Sequence, residues 1–134
     1  MIHKSHTLTL SIDAPYQKVY DFISDAANLP KWAPGFFLSI ERVEGKWIAE
    51  TTIGKVGFRF ADRNPFGVLD HYVSVESGPE SANPMRLIPN GTGCELLFTL
   101  FMLPDMSDAR FEEDRSVVLK DLENLKAVLE KGAD

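Results

Sequence analysis

The fold is decided by residues 11 to 32, whose most informative parts read SIDAPYQKVYDFI (11–23) and NLPKW (28–32). Pro15 predicts the first turn of a helix, because a proline there lacks only an N–H group that would have no partner. The apolar residues that follow it at helical spacing are Tyr16, Val19, Tyr20 and Ile23. Residues 28–32 predict a second, short helix or turn, which Pro34-Gly35 closes.

A strand precedes this helix, because residues 5–12 alternate strictly between two kinds of side chain. His6, Leu8, Leu10 and Ile12 share one face, and serines and threonines occupy the other. Such alternation is typical of a strand with one buried side.

The chain from residue 36 to residue 103 predicts strands separated by turns. The expected strands span 36–43, 46–53, 56–62, 68–76, 83–89 and 92–103. Glu44-Gly45 and Gly54-Lys55 predict turns, Gly78-Pro79 predicts a break, and Asn90-Gly91 predicts a hairpin whose central residues both have positive φ. Prolines at 84 and 89 indicate that 83–89 is an edge or irregular strand.

A long amphipathic helix is predicted at the C-terminus, from an N-cap at Ser107 to Gly132. Its apolar stripe consists of Phe111, Val118, Leu122, Leu125 and Leu129. The whole order predicts an α+β fold in one domain, residues 1–134. About seven antiparallel strands would form a single curved sheet wrapped on this helix, because no other element carries an apolar stripe large enough to cover the sheet.

Composition excludes several classes of protein. The net charge of −6 argues against nucleic acid and anionic membrane surfaces as partners. No run of about 18 apolar residues occurs, so no membrane insertion is expected. The single cysteine, Cys94, is expected to be a buried, inert thiol, and we expect neither a metal site nor a cofactor. The first residues lack the features of a signal peptide, which favours the cytoplasm.

The segments 11–23 and 28–32 resemble the entry of the helix-grip fold in the START-like (SRPBCC, Bet v 1-like) superfamily. FGVLDHYV (66–73) and NPMR (83–86) resemble a group of bacterial polyketide cyclase/dehydratase-like proteins. The resemblance covers nearly the whole chain and implies a cavity between sheet and helix. It does not imply one reaction, because the superfamily includes lipid carriers, hormone receptors, cyclases and chaperone activators.

Strand alternation predicts which side chains line such a cavity. The expected ligand-binding residues are Trp32, Phe36, Trp47, Phe58, Phe60, His71, Met85, Phe98, Phe111 and Arg115. Trp32 is expected at the rim of the pocket, and Arg115 either at its mouth or extended along the surface.

Two residues are candidates for acid/base catalysis. His71 is predicted to face inward, either as an acid/base or ligand-anchoring group or as a core histidine bonded to a backbone carbonyl. Asp62 is its expected partner if the strand register allows, because the adjacent Asp70 points to the other face. Arg59, Arg63 and Arg86 could anchor a carboxylate or ketone, or form ion pairs on the outer face.

These patterns predict a protein that binds a hydrophobic or aromatic small molecule, lipid-like or polyketide-like, between the sheet and the C-terminal helix. The alternative is a cyclase or dehydratase in which His71 or Asp62 transfers a proton. A further alternative is a protein-interaction module. The chain is expected to be a monomer or a weak homodimer.

Overall fold

The structure is a computed structural model, and it describes residues 1–75, 78 and 80–131. The first strand, β1, spans Ser5–Ile12, and the helix α1 spans Tyr16–Ser24. A 3₁₀ turn over Ala26–Asn28 leads into the short helix α2, Leu29–Trp32. The remaining strands are β2 Phe37–Val43, β3 Lys46–Thr51, β4 Gly54–Phe60, β5 His71–Val75, β6 Glu80–Asn83, β7 Met85–Asn90 and β8 Gly93–Phe101, and the last helix is α3, Asp108–Lys131.

The strands form two antiparallel sheets, not the single sheet that the sequence predicts. Three strands pair in the order β1-β8-β7, and five pair in the order β2-β3-β4-β5-β6. The chain passes from one sheet to the other at Pro84, between β6 and β7. Of the predicted strand 83–89, residues 85–89 belong to β7, and Asn83 ends β6, a strand that the sequence analysis did not predict. Pro84, which has no N–H to pair in a ladder, separates the two strands. With β6 the strand count is eight.

Several predicted boundaries shift by a few residues. β3 ends at Thr51, whose hydroxyl donates to the Gly54 carbonyl at 2.7 Å and so stabilises a turn two positions earlier than predicted. The last hairpin turns at Gly91-Thr92, because Asn90 pairs directly with Gly93, and Gly91 has the positive φ of 59°. The predictions that concern Glu76, Pro79 and Gly132 lie outside the described residues.

The long C-terminal helix begins as predicted. The Ser107 hydroxyl accepts from the Arg110 N–H at 3.1 Å, which satisfies one of the free donors of the first turn. Buried residues of both sheets, α1, α2 and α3 form one core. No described helix is long and apolar enough to cross a membrane.

The strand register separates an inner and an outer face of the five-stranded sheet. Trp47, Phe58 and Val73 lie directly opposite one another on β3, β4 and β5, so their side chains share a face. Phe58 belongs to the core cluster together with Leu122 and Leu125 of α3, which identifies this face as the inner one. The START-like helix-grip arrangement that the sequence predicts is therefore present.

Candidate functional site

An aromatic cluster surrounds His71 on the inner face. The ring centroids of Phe58, Phe60 and Phe98 lie 5.5, 5.6 and 5.4 Å from that of His71. Phe37 continues the cluster, with its centroid 5.4 Å from Phe58 in an edge-to-face arrangement. His71 is only 7% exposed. The side chains around the imidazole therefore interdigitate, and the inward orientation predicted for His71 is what the structure shows.

The electrostatics of His71 follow from this burial. Desolvation lowers its pKa to about 4, against the smaller opposing effects of the Leu69 carbonyl and Asp70. The imidazole is therefore neutral at pH 7. Its Nδ1 lies 3.2 Å from the Leu69 carbonyl oxygen, and in the tautomer that satisfies this contact Nδ1 carries the proton and donates. This is the backbone-bonded arrangement that the second interpretation of His71 predicts.

Asp62 does not meet His71. The register places Phe60, not Asp62, opposite His71, and β4 ends at Phe60. Asp62 lies beyond the strand end and is exposed. Its predicted place on the inner face was wrong, because alternation continues only as far as the strand does.

Asp70 faces away from His71 and holds the neighbouring strand. Its carboxylate accepts from the Met85 N–H at 2.8 Å and pairs with Arg86. The other arginines considered as anchors are also engaged, Arg59 with Glu80 and Arg63 with Asp21. These residues therefore tie elements together on the outer side.

Six of the ten expected lining residues are buried, namely Trp32, Phe58, His71, Met85, Phe98 and Phe111. Met85 is 0% exposed, Phe111 is 2% exposed and Trp32 is 4% exposed, so Trp32 does not lie at a solvent-exposed rim. Among the described residues, the Trp32 indole nitrogen is the buried side-chain polar atom that lacks a hydrogen-bond partner. Arg115 is half-buried and its guanidinium contacts Glu112 at 2.8 Å.

The inner face is only partly covered by α3. The second half of the helix buries Leu122, Leu125 and Leu129, whereas Val118 and Leu119 in the first half stay partly exposed. The partly exposed apolar strand residues that pack against the same core include Ile40, Trp47, Phe60, Val73 and Leu100. We call these five residues, with Val118 and Leu119, the open inner patch. Phe36, in the loop before β2, is half-buried beside it and contacts Phe37 edge-to-face.

Asp121 is a buried polar residue that the sequence analysis missed. It is 8% exposed, and its Oδ1 accepts from the Gly35 N–H at 3.1 Å, which fastens α3 to the loop after α2. Burial raises the pKa of this carboxyl, although the Gly35 hydrogen bond acts in the opposite direction. Its position could have indicated this, because residue 121 lies three after Val118 and four before Leu125, within the apolar stripe.

A cleft of about 760 Å³ lies on the outer face of the five-stranded sheet. Its outward-facing lining includes Ile48, Gly57, Ser74 and Glu80, which the register places opposite one another. Lys46, Lys55 and Arg59 also line it. This cleft is on the side away from α3, so it is not the predicted cavity between sheet and helix.

Other reactive side chains are sparse. Cys94 is buried as predicted, and burial raises the pKa of its thiol. Over the described ranges, no group of three or more histidine, cysteine, aspartate or glutamate side chains is placed to hold a metal ion.

Comparison with known proteins identifies the fold. No protein-family model and no curated protein matches the chain. Among solved structures, a START superfamily protein from Mycobacterium smegmatis is 13% identical, with 95% of this chain and 97% of that chain covered and a TM-score of 0.70. Ara h 8.0201 is 15% identical, with 96% and 99% covered and a TM-score of 0.72.

The Aha1 dimer from Colwellia psychrerythraea is 17% identical, with 100% of both chains covered and a TM-score of 0.72. These identities are low, so the likeness concerns the arrangement of the backbone. Together with two short helices after β1 and the long α3 against the sheet, it shows that the chain has the START/Bet v 1-like helix-grip fold.

Proposed function

We propose that this protein binds a hydrophobic or aromatic small molecule against the open inner patch. The observation that carries the proposal is the partial exposure of Trp47, Phe60 and Val73 on the face that the rest of α3 buries. Apolar side chains on the inner side of a domain are ordinarily covered, and those left open are a common feature of ligand sites. A guest lying between β3–β5 and the first half of α3 would complete their burial.

Affinity at this patch would come mainly from apolar burial. Each Å² removed from water contributes roughly 25 cal/mol, before the cost of ordering the guest. The outer cleft suits such a guest less well, because the ion pair between Arg59 and Glu80 lies in it and lysines flank it. A hydrophobic molecule there would desolvate charged groups without replacing their partners.

In the proposed site His71 contributes shape and a polar group, and it does not transfer a proton. A general base is most effective when its pKa lies near the working pH, and a pKa of about 4 is far below neutrality. Asp62, the other catalytic candidate, is exposed and lies beyond the end of β4. No observation therefore favours the cyclase or dehydratase alternative over the binding proposal.

The proposal is tested with two variants at neighbouring residues that point to opposite faces. Val73→Asn places an amide on the inner face, and Ser74→Asn places the same amide on the outer face. We expect wild type and Ser74→Asn to bind the neutral dye N-phenyl-1-naphthylamine with similar affinity. Val73→Asn should bind it at least about tenfold more weakly, because an apolar ring would desolvate the amide without a hydrogen bond.

Dye fluorescence gives the dissociation constants, and circular dichroism confirms that both variants fold. Equal affinities of the two variants would exclude the inner patch as the site. A loss confined to Ser74→Asn would instead place the dye in the outer cleft.

A further inference from the structure

One arginine on the inner face has no carboxylate partner among the described residues. Arg42 lies directly opposite Trp47 in the pairing of β2 with β3, so both side chains lie on the inner side of the sheet. The Arg42 guanidinium carbon is 5.5 Å from the centroid of the Trp47 ring. The cation therefore stacks beside an aromatic residue of the open inner patch.

Every other arginine in the chain contacts an acidic side chain. Arg59, Arg63 and Arg86 pair with acids on other elements, as described above. Arg110 and Arg115 pair with Asp114 and Glu112 within α3. Arg42 instead contacts the Trp47 ring. This contact leaves the N–H donors of the guanidinium available to an anion.

We propose that the guest of the inner patch is an amphipathic monocarboxylate whose carboxylate binds Arg42. The proposal rests on the binding function proposed above and specifies the class of ligand. Trp47, Phe58 and Val73 continue the row of side chains away from Arg42, one strand at a time. Neighbouring strands lie about 4.8 Å apart, so the apolar body would extend about 10–15 Å across this row.

The chemistry of Arg42 suits this role better than that of the nearby cations. A guanidinium binds a carboxylate through two parallel hydrogen bonds, and stacking on an indole restricts its plane. Lys46 is close in sequence but pairs with Val43, next to Arg42, and so faces the outer side. Arg115 of α3 is held by Glu112 at 2.8 Å.

The test compares decanoate with 1-decanol, which have the same number of carbon atoms and differ in head group and charge. Isothermal titration calorimetry at pH 7.5 and low salt should show about tenfold tighter binding of decanoate by wild type. Arg42→Gln should reduce this preference to near unity and leave 1-decanol binding unchanged. Arg42→Lys should keep part of the preference, because the charge remains and the bidentate geometry is lost.

Arg59→Gln is the matched control, because Arg59 also stacks on an aromatic ring, 4.0 Å from the Tyr72 centroid, but on the outer face. This variant should keep the wild-type preference. The preference in wild type should also fall between 20 and 300 mM salt, because the Debye length shortens from about 20 Å to about 6 Å.

Equal binding of the two compounds by wild type, or an undiminished preference in Arg42→Gln, would overturn the role of Arg42 and leave the binding function standing. If wild type binds neither compound, the binding function itself fails.

Discussion

His71 is the residue whose ionisation is most strongly affected by the fold. Three aromatic rings replace the water that would stabilise an imidazolium, and the backbone oxygen of Leu69 offers only one partner. Its pKa is therefore lowered from 6.5 to about 4. Such a residue is neutral in the folded protein throughout the physiological range.

This shift predicts a pH dependence of stability. As pH falls below 6.5, the unfolded chain takes up a proton at residue 71 and the folded chain does not, so the stability present above that pH is lost toward pH 4. The loss due to this residue should amount to about 3 kcal/mol. Denaturant unfolding at pH 7 and pH 4 measures this loss. The free energy of unfolding should fall between these pH values by more for wild type than for His71→Leu, and the difference is the contribution of His71.

Two outcomes would contradict the prediction for His71. One is a pair of parallel stability curves for wild type and His71→Leu. The other is an imidazole that titrates near 6.5 in an NMR experiment on the folded protein.

At the residue scale, alternation within strands predicted which side chains face inward, but only as far as each strand extends. It placed His71 and Phe58 inward correctly, because both belong to the paired residues of β4 and β5. It failed for Asp62, since the end of β4 depends on how the following loop crosses the sheet. It did not identify Arg42 as a candidate site residue. Only the tertiary structure shows that the other arginines pair with acidic side chains, whereas Arg42 contacts the Trp47 ring.

At the scale of elements, α3 is held to the rest of the molecule by polar contacts as well as by its apolar stripe. Asp121 bonds the Gly35 N–H, and Asn124 donates to the Trp32 carbonyl at 3.1 Å. Farther along, Lys126 donates to the Ser11 carbonyl and Glu130 accepts from the Asp13 N–H. These contacts all involve the second half of α3, which also carries the buried Leu122, Leu125 and Leu129.

Asp121 gives a prediction for this attachment. Burial raises the pKa of the Asp121 carboxyl, so the charged form of this side chain disfavours folding. The contribution of Asp121 to stability therefore weakens as pH rises through the raised pKa. Asp121→Asn keeps an oxygen acceptor for Gly35 without the charge, so we expect it to be more stable than wild type at pH 7. Asp121→Ala loses the acceptor and should be about 1–3 kcal/mol less stable than Asp121→Asn.

Urea unfolding at pH 7 measures the three proteins. The prediction for Asp121 fails if Asp121→Asn is less stable than wild type, or if Asn and Ala at this position are equivalent.

The elements themselves were predictable where local chemistry determines them. Pro15 and Ser107 marked helix starts correctly, because a missing N–H and a capping hydroxyl act within one turn. The sequence interpretation treated residues 83–89 as one strand, although Pro84 divides two strands that belong to different sheets. The division depends on long-range pairing with β5 and β8, which local patterns do not determine.

At the scale of the whole molecule, the fold leaves one side of its core incompletely covered. The second half of α3 packs with β1 and α2 around the core, and the open inner patch combines strand residues with Val118 and Leu119 of the first half of α3. The order of elements was sufficient to predict this architecture, because only α3 has a stripe that can cover the sheet. It was not sufficient to predict how much of the sheet α3 leaves exposed, which depends on the helix position along the sheet.

The most direct test of the inner patch as a ligand site is methyl NMR during titration with 1-decanol. The account predicts saturable shifts of the Val73, Val118 and Leu119 methyl groups, with Ile48 on the outer face unchanged. Saturable shifts of Ile48 with the three inner residues unchanged, or no saturable shift at any of them, would contradict it.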